Sequence, residues 1–176
     1  MRVGLATALT AIFGIGCGDE VRDEKVSTAS SSEALSPREP VNNQSFTLPA
    51  VPFCGFPIHV EVVEDNEFQD QTTLNDGTIV TNVTGRLVLR FTNEDNGNSV
   101  VRVESGPTTT SARPDGTATF VGRGQNYLVF GPTSRQNTGE PALVFTNGRV
   151  EVESSGNITT GFKLSGSQID GCELLR

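Results

Sequence analysis

The side chains able to do chemistry are few and scattered. His59 is the only histidine, so any Ser-His-Asp device would have to use it. It alternates with Ile58 and Val60 and shares its parity with Glu61, a strand pattern that turns it toward solvent. Carboxylates are plentiful, and Glu61, Glu64, Asp65 and Glu67 form the densest group. Two of them could in principle run glycosidase chemistry, but nothing in their spacing separates them from the charged end of a strand. The loop Glu94-Asp95-Asn96-Gly97-Asn98 has the residue types of a calcium loop. It lacks the EF-hand spacing and the closing bidentate Glu, and a hairpin turn accounts for the same residues. No H-E-x-x-H, phosphate-loop or G-x-S-x-G motif occurs. There is no Trp and one Tyr, Tyr127, while the ten Phe suit a core better than a wet sugar platform. The residues therefore give no catalytic constellation, and no metal or cofactor is expected.

The N-terminus carries a more specific signal. Met1-Arg2 is followed by an uncharged, largely apolar run from Val3 to Ile15, then Gly16 and Cys17. A basic start, a short apolar run and a small-residue exit describe a secretory signal, and the run is too short for a permanent membrane span. Gly14-Ile15-Gly16-Cys17 resembles the bacterial lipobox, with Gly14 where that motif usually carries Leu. The resemblance implies removal of residues 1–16 and acylation of Cys17. One acyl chain anchors only marginally, whereas several hold a protein firmly on a membrane. With Cys17 taken by lipid, Cys54 and Cys172 remain as an even pair, which in an exported chain reads as a disulfide.

Three segments follow: a signal over 1–16, a lipidated Cys17 with a flexible tether to residue 50, and a β domain over 51–176. The tether holds a Ser/Thr/Ala run at 27–32, scattered charges and Pro37, Pro40 and Pro49, with few large apolar residues. Such a segment cannot bury enough surface to order itself. As a coil it would span roughly 30 Å. The formal net charge of −8 without a basic cluster excludes a phosphate-backbone binder and a polybasic hold on anionic lipid.

From Val51 onward the chain shows alternation and turn signals, at Asn75-Asp76-Gly77, Asn96-Gly97, Pro114-Asp115-Gly116 and Asn147-Gly148. No window sustains a helical period. The expectation is an all-β domain of about eight to ten short strands. Two hairpins follow from register. A type I′ turn at Asn147-Gly148 would pair Thr146 with Arg149 and set Phe145 beside Val150. A three-residue loop Asp95-Asn96-Gly97 would pair Phe91 with Val101 and Leu89 with Val103, keeping the apolar sets on one face with Gly97 at positive φ. Cys54 precedes the first of these strands and Cys172 follows the last. A bond between them requires Cα atoms within about 7 Å, so the first and last strands must meet. A small antiparallel β-barrel satisfies this, with a β-sandwich as the alternative.

The opening Phe53-Cys54-Gly55-Phe56-Pro57-Ile58-His59-Val60, the middle Thr92-Asn93-Glu94-Asp95-Asn96-Gly97-Asn98-Ser99-Val100 and the close Ile169-Asp170-Gly171-Cys172-Glu173-Leu174-Leu175 resemble a group of exported, uncharacterised actinobacterial proteins. Those chains share a C-G-F-P-x-x-V opening, a T-N-x-x-x-G-x-S-V middle and a D-x-C-x-L-L close. The resemblance covers nearly the whole β domain. It implies the same disulfide and a small β fold, and it carries no activity. The functional expectation is an exported, membrane-tethered, non-catalytic protein that binds a small apolar ligand or a protein partner, and not nucleic acid. The alternative is a small-barrel cyclase or isomerase, marked by a buried Glu, Asp or Tyr with a strongly displaced pKa.

Overall fold

The computed structural model describes residues 37–176. Residues 1–36 lie outside the described residues, and with them the signal segment, Cys17 and its lipid. The order is β1 (Glu39–Pro40), β2 (Phe46–Leu48), β3 (Ile58–Thr73), β4 (Ile79–Asn93), β5 (Ser99–Ser105), β6 (Thr108–Ala112), β7 (Thr117–Val129), α1 (Pro132–Thr138), β8 (Leu143–Ser155), β9 (Ile158–Asp170) and α2 (Gly171–Leu174). The nine strands form one antiparallel sheet, ordered β1-β3-β4-β5-β7-β8-β9, with β2 also on β3 and β6 between β4 and β7. The all-β, antiparallel expectation holds. No ladder joins β9 to the β3 side among the described residues, so the ring is not closed by hydrogen bonds. A covalent tie spans the two ends instead. Cys54 and Cys172 form a disulfide with Cα atoms 5.2 Å apart.

The sheet begins earlier in the chain than Val51. β1 and β2 fall within the segment expected to be tether, and both pair with β3. Phe46 and Leu48 supply the apolar anchors, with Leu48 buried. Between β1 and β2, Asn43 bonds Asp65 through its backbone and side chain, at 2.9 and 3.1 Å, and Glu67 at 3.0 Å. These contacts also cover the outer edge of β3, which would otherwise be open to pairing with another chain.

The segments 53–60, 92–100 and 169–175 meet at one pole. Asp170 caps α2, accepting from the Cys172 and Glu173 amides at 2.8 and 3.2 Å. That cap presents Cys172 to Cys54 and drives Leu175 fully into the core. Asn93 donates to the Leu175 carbonyl at 3.0 Å, while Asn96 and Asn98 each donate to the Arg176 carbonyl at 2.9 Å. Around this pole pack Phe56, Ile58, Val60, Leu87, Leu89, Phe91, Leu143 and Phe145. Phe91 makes edge-to-face contacts with Tyr127 and Phe145, ring centroids 5.5 and 4.9 Å apart.

The Asn147-Gly148 pair is not a turn. β8 continues unbroken through it, and Phe145 pairs with Tyr127 and Ile169 rather than lying beside Val150. Gly148 aligns across three strands with Gly124 and Gly166. At Gly148, with φ of 134°, an added Cβ would lie 2.2 Å from the Ser165 carbonyl oxygen. Backbones approach this closely only where side chains are missing, and the row is where the sheet bends. Phe130 follows Val129, which pairs with Leu143, whereas Phe162 pairs with Val152. Val152 is nine extended residue steps from Leu143, a span of roughly 30 Å. The rings of Phe130 and Phe162 are nevertheless 5.6 Å apart, so the strands fold back across the glycine row. Val144 and Val150, on either side of Gly148, are fully buried. α1 then seals the far end of β9. Ser134 Oγ accepts from the Thr159 amide and Asn137 donates to its carbonyl, both at 2.9 Å.

Candidate functional site

The register of the β4–β5 hairpin decides what enters the concave face. Phe91 pairs with Val100, Leu89 with Arg102 and Leu87 with Glu104. This is one residue away from the register that matches apolar to apolar. The turn chemistry prevails. The Asn93 amide donates to the Asn98 carbonyl, and the Asn93 and Asn96 side chains accept from the Asp95 and Asn98 amides at 2.9 and 2.8 Å. Two Asx turns therefore fit a longer loop than the expected three residues, although Gly97 does take positive φ, 78°. Paired residues share a face, so Arg102 and Glu104 point inward with Phe91, while Val101 is half exposed.

A second irregularity completes the concave face. A bulge between Val62 and Glu64 shifts the pairing of β3 with β4. Ile58, Val60 and Val62 face inward before it. Beyond it, Asp65 and Glu67 pair with Leu87 and Gly85 and take that same face. Glu61 and Glu64 face outward to Arg90 and Arg86 in exposed ion pairs, of the kind that contribute little to stability. The dense acidic group thus divides into two surface pairs and two inward carboxylates.

The ladder between β5 and β7 consists of one pair, Ser105 with Gln125. Beyond it the strands separate and leave a cleft of about 140 Å³, bounded by Arg102, Glu104 and Asn126 on one side and Phe145, Ser167 and Ile169 on the other. The split leaves this edge of β7 without a ladder partner past Gln125, and the Tyr127 backbone amide lies near the Glu104 carboxyl there. Glu104 is 9% exposed. Burial pushes its carboxyl up to about 7, the nearby Glu67 charge adds to the rise, and the Tyr127 amide and Arg102 oppose it. Glu67, half-buried, is likewise raised by burial, with Asp65 adding to the rise. Tyr127 is pushed up to about 12 by burial and by the Glu104 and Glu67 charges. The Arg102 guanidinium stands 4.6 Å from the Phe145 ring centroid. Its Nε is buried without a hydrogen-bond partner, and Arg102 forms no ion pair among the described residues.

The residues singled out in the sequence lie elsewhere. His59 sits on the outer face with its Nδ1 3.3 Å from Thr47 Oγ1. Asp95 and Asn96 build the turn, and Cys54 and Cys172 are structural. Among the described residues no cluster of His, Cys, Asp and Glu is arranged to hold a metal ion. Arg102 and Glu104 were the residues to find. Their signal was two charges at alternate positions of a strand beside an asparagine-rich turn. Comparison of the chain with protein families, curated proteins and solved structures finds no match.

Chemically, the cleft pairs an aromatic-backed cation with a carboxyl able to gain or lose a proton near neutrality. The apolar side chains of Phe145 and Ile169 lie beside it.

Proposed function

We propose that this chain is an exported, membrane-tethered, non-catalytic β-domain protein that captures a small ligand in the cleft between β5 and β7. One observation carries the binding part of this reading. Arg102 is held at the cleft over Phe145, with its Nε buried and unpaired. A buried donor without a partner costs free energy in the empty protein, and a ligand acceptor would recover it. The volume is below that of a drug-sized site, which suits a ligand of a few heavy atoms to one ring. The export and tether parts rest on the signal-like start, the lipobox-like Gly14–Cys17 and a disulfide that needs an oxidising compartment.

Amide chemical-shift mapping against a library of small polar and aromatic fragments tests the binding. Shifts should centre on Arg102, Asn126, Ser167 and Ile169. A library that moves none of these amides would refute the reading. Mass spectrometry of the mature protein tests the anchor: an acylated Cys17 at the new N-terminus is expected, and an unmodified terminus elsewhere refutes it.

Glu104 favours a second reading, a cyclase- or isomerase-like enzyme in which this carboxyl moves a proton on a bound substrate. The buried acid with a displaced pKa is its mark. The two readings diverge at Glu104→Gln. An enzyme loses roughly a hundredfold or more in turnover, while a binder keeps its ligand.

A further inference from the structure

The contents of the cleft specify the ligand more narrowly. We propose that the cleft takes the carboxylate of a small, largely apolar acid onto Arg102, and that it does so together with a proton on Glu104. This rests on the ligand-binding reading above and names its ligand class.

Charge comes first. Arg102 is the only cation lining the cleft, and a guanidinium fork matches a carboxylate geometrically. Around Glu104 stand Arg102 on its own strand, Glu67 on β3 with Asp65 beside it, and Tyr127 on β7. β4 faces it with Leu87, and β8 and β9 bring only uncharged side chains to the cleft. One cation among three carboxylates cannot hold a dianion such as phosphate well. Within the cleft lining itself, where Asp65 and Glu67 are absent, a monoanion is matched one to one by Arg102 once Glu104 is neutral. Shape and polarity agree, because Phe145 and Ile169 offer apolar surface beside the guanidinium, suited to the hydrocarbon part of a carboxylic acid.

The hydrogen bonds then require the proton. The Tyr127 backbone amide lies near the Glu104 carboxyl and favours its ionised form, without using it up as a partner for a ligand. An ionised Glu104 carboxyl would repel a ligand carboxylate placed at Arg102. A protonated one donates to it instead, so the ligand receives an O–H from Glu104 and N–H groups from Arg102. Only the protonated protein is competent, and apparent affinity falls with the competent fraction. With Glu104 titrating at about 7, that fraction drops roughly tenfold between about pH 6 and about pH 8. By linkage, binding takes up a proton.

Benzoate and its uncharged isostere benzamide test this by calorimetry and amide chemical shifts on the full, oxidised protein. Benzoate is ionised throughout the range, so a change in affinity reports the protein. The expected results are benzoate binding that weakens about tenfold from about pH 6 to about pH 8, proton uptake on binding, and weaker binding of benzamide at the lower pH. Glu104→Gln should bind benzoate with no pH dependence over that range. Arg102→Gln should lose it, and Arg102→Lys, which keeps the charge over Phe145, should retain part. Benzamide binding as tightly as benzoate would overturn the carboxylate assignment while leaving a ligand site in place. Benzoate binding that ignores both pH and the Glu104→Gln change would overturn the proton coupling. Cleft amides that respond to neither probe would overturn this inference, whereas the broader reading falls only if the whole fragment library also fails.

Discussion

Glu104 is the only acidic side chain among the described residues that is buried. Its carboxyl rises from an ordinary 4.5 to about 7, through burial above all. Between these values the folded protein holds a proton that the unfolded chain has released, so stability falls as pH rises through that window. The full effect is about 3 kcal/mol, and urea melts at about pH 5 and about pH 8 should recover a large part of it. Glu104→Gln should flatten the dependence; a wild-type protein equally stable at both values would contradict the burial argument. Glu64, Asp76 and Asp115 work in the opposite sense. Arg86 holds the first low, and bonds from Thr78 and Thr117 hold the other two. Their contribution is present above the ordinary carboxylate range and lost in stronger acid. These residue-level effects were hard to see in the sequence. Arg102 and Glu104 alternate with Val101 and Val103, so both faces of β5 carry plausible cores, and side-chain bonds in the neighbouring turn settle the choice.

At the scale of elements, glycine does two different jobs. Gly97, in a turn at φ 78°, has nothing within 4 Å of an added Cβ. Gly97→Ala should therefore cost about 1–2 kcal/mol, the left-handed penalty alone. Gly148 sits in the bend, where an added Cβ would strike the Ser165 carbonyl at 2.2 Å. Gly148→Ala should cost about 3 kcal/mol or more. Parallel thermal melts check the pair, and equal losses would mean the glycine row is not a close approach. The all-β class and three of the four turn signals were legible because Gly, Asn and Asp mark tight turns locally. Asn147-Gly148 misled for the same reason. Its dipeptide chemistry is that of a turn, and its true role depends on Gly124 and Gly166, brought alongside only by strand pairing. The β3 bulge was illegible in the same way, since the extra residue Val63 shows itself only against β4.

At the scale of the whole molecule, the disulfide closes a loop over a sequence separation of 118. In the chain-entropy model such a loop stabilises the fold by about 4–5 kcal/mol. The double variant Cys54→Ser, Cys172→Ser should lose stability on that scale in denaturant melts, and a loss below about 1 kcal/mol would show that the noncovalent pole holds by itself. The cysteine count made this tie readable in advance, whereas the early strands β1 and β2 were missed because Phe46 and Leu48 sit in otherwise polar sequence. The same pole bears on the order of events during synthesis. Ile58 and Phe91 share one core cluster with Leu175 and Cys172, so that cluster stays incomplete until the segment after Asp170 has been made and Cys172 can meet Cys54. On the export proposed above, such late closure would keep the chain threadable through a narrow translocation channel, with the tail as the latch that ends its pliable phase.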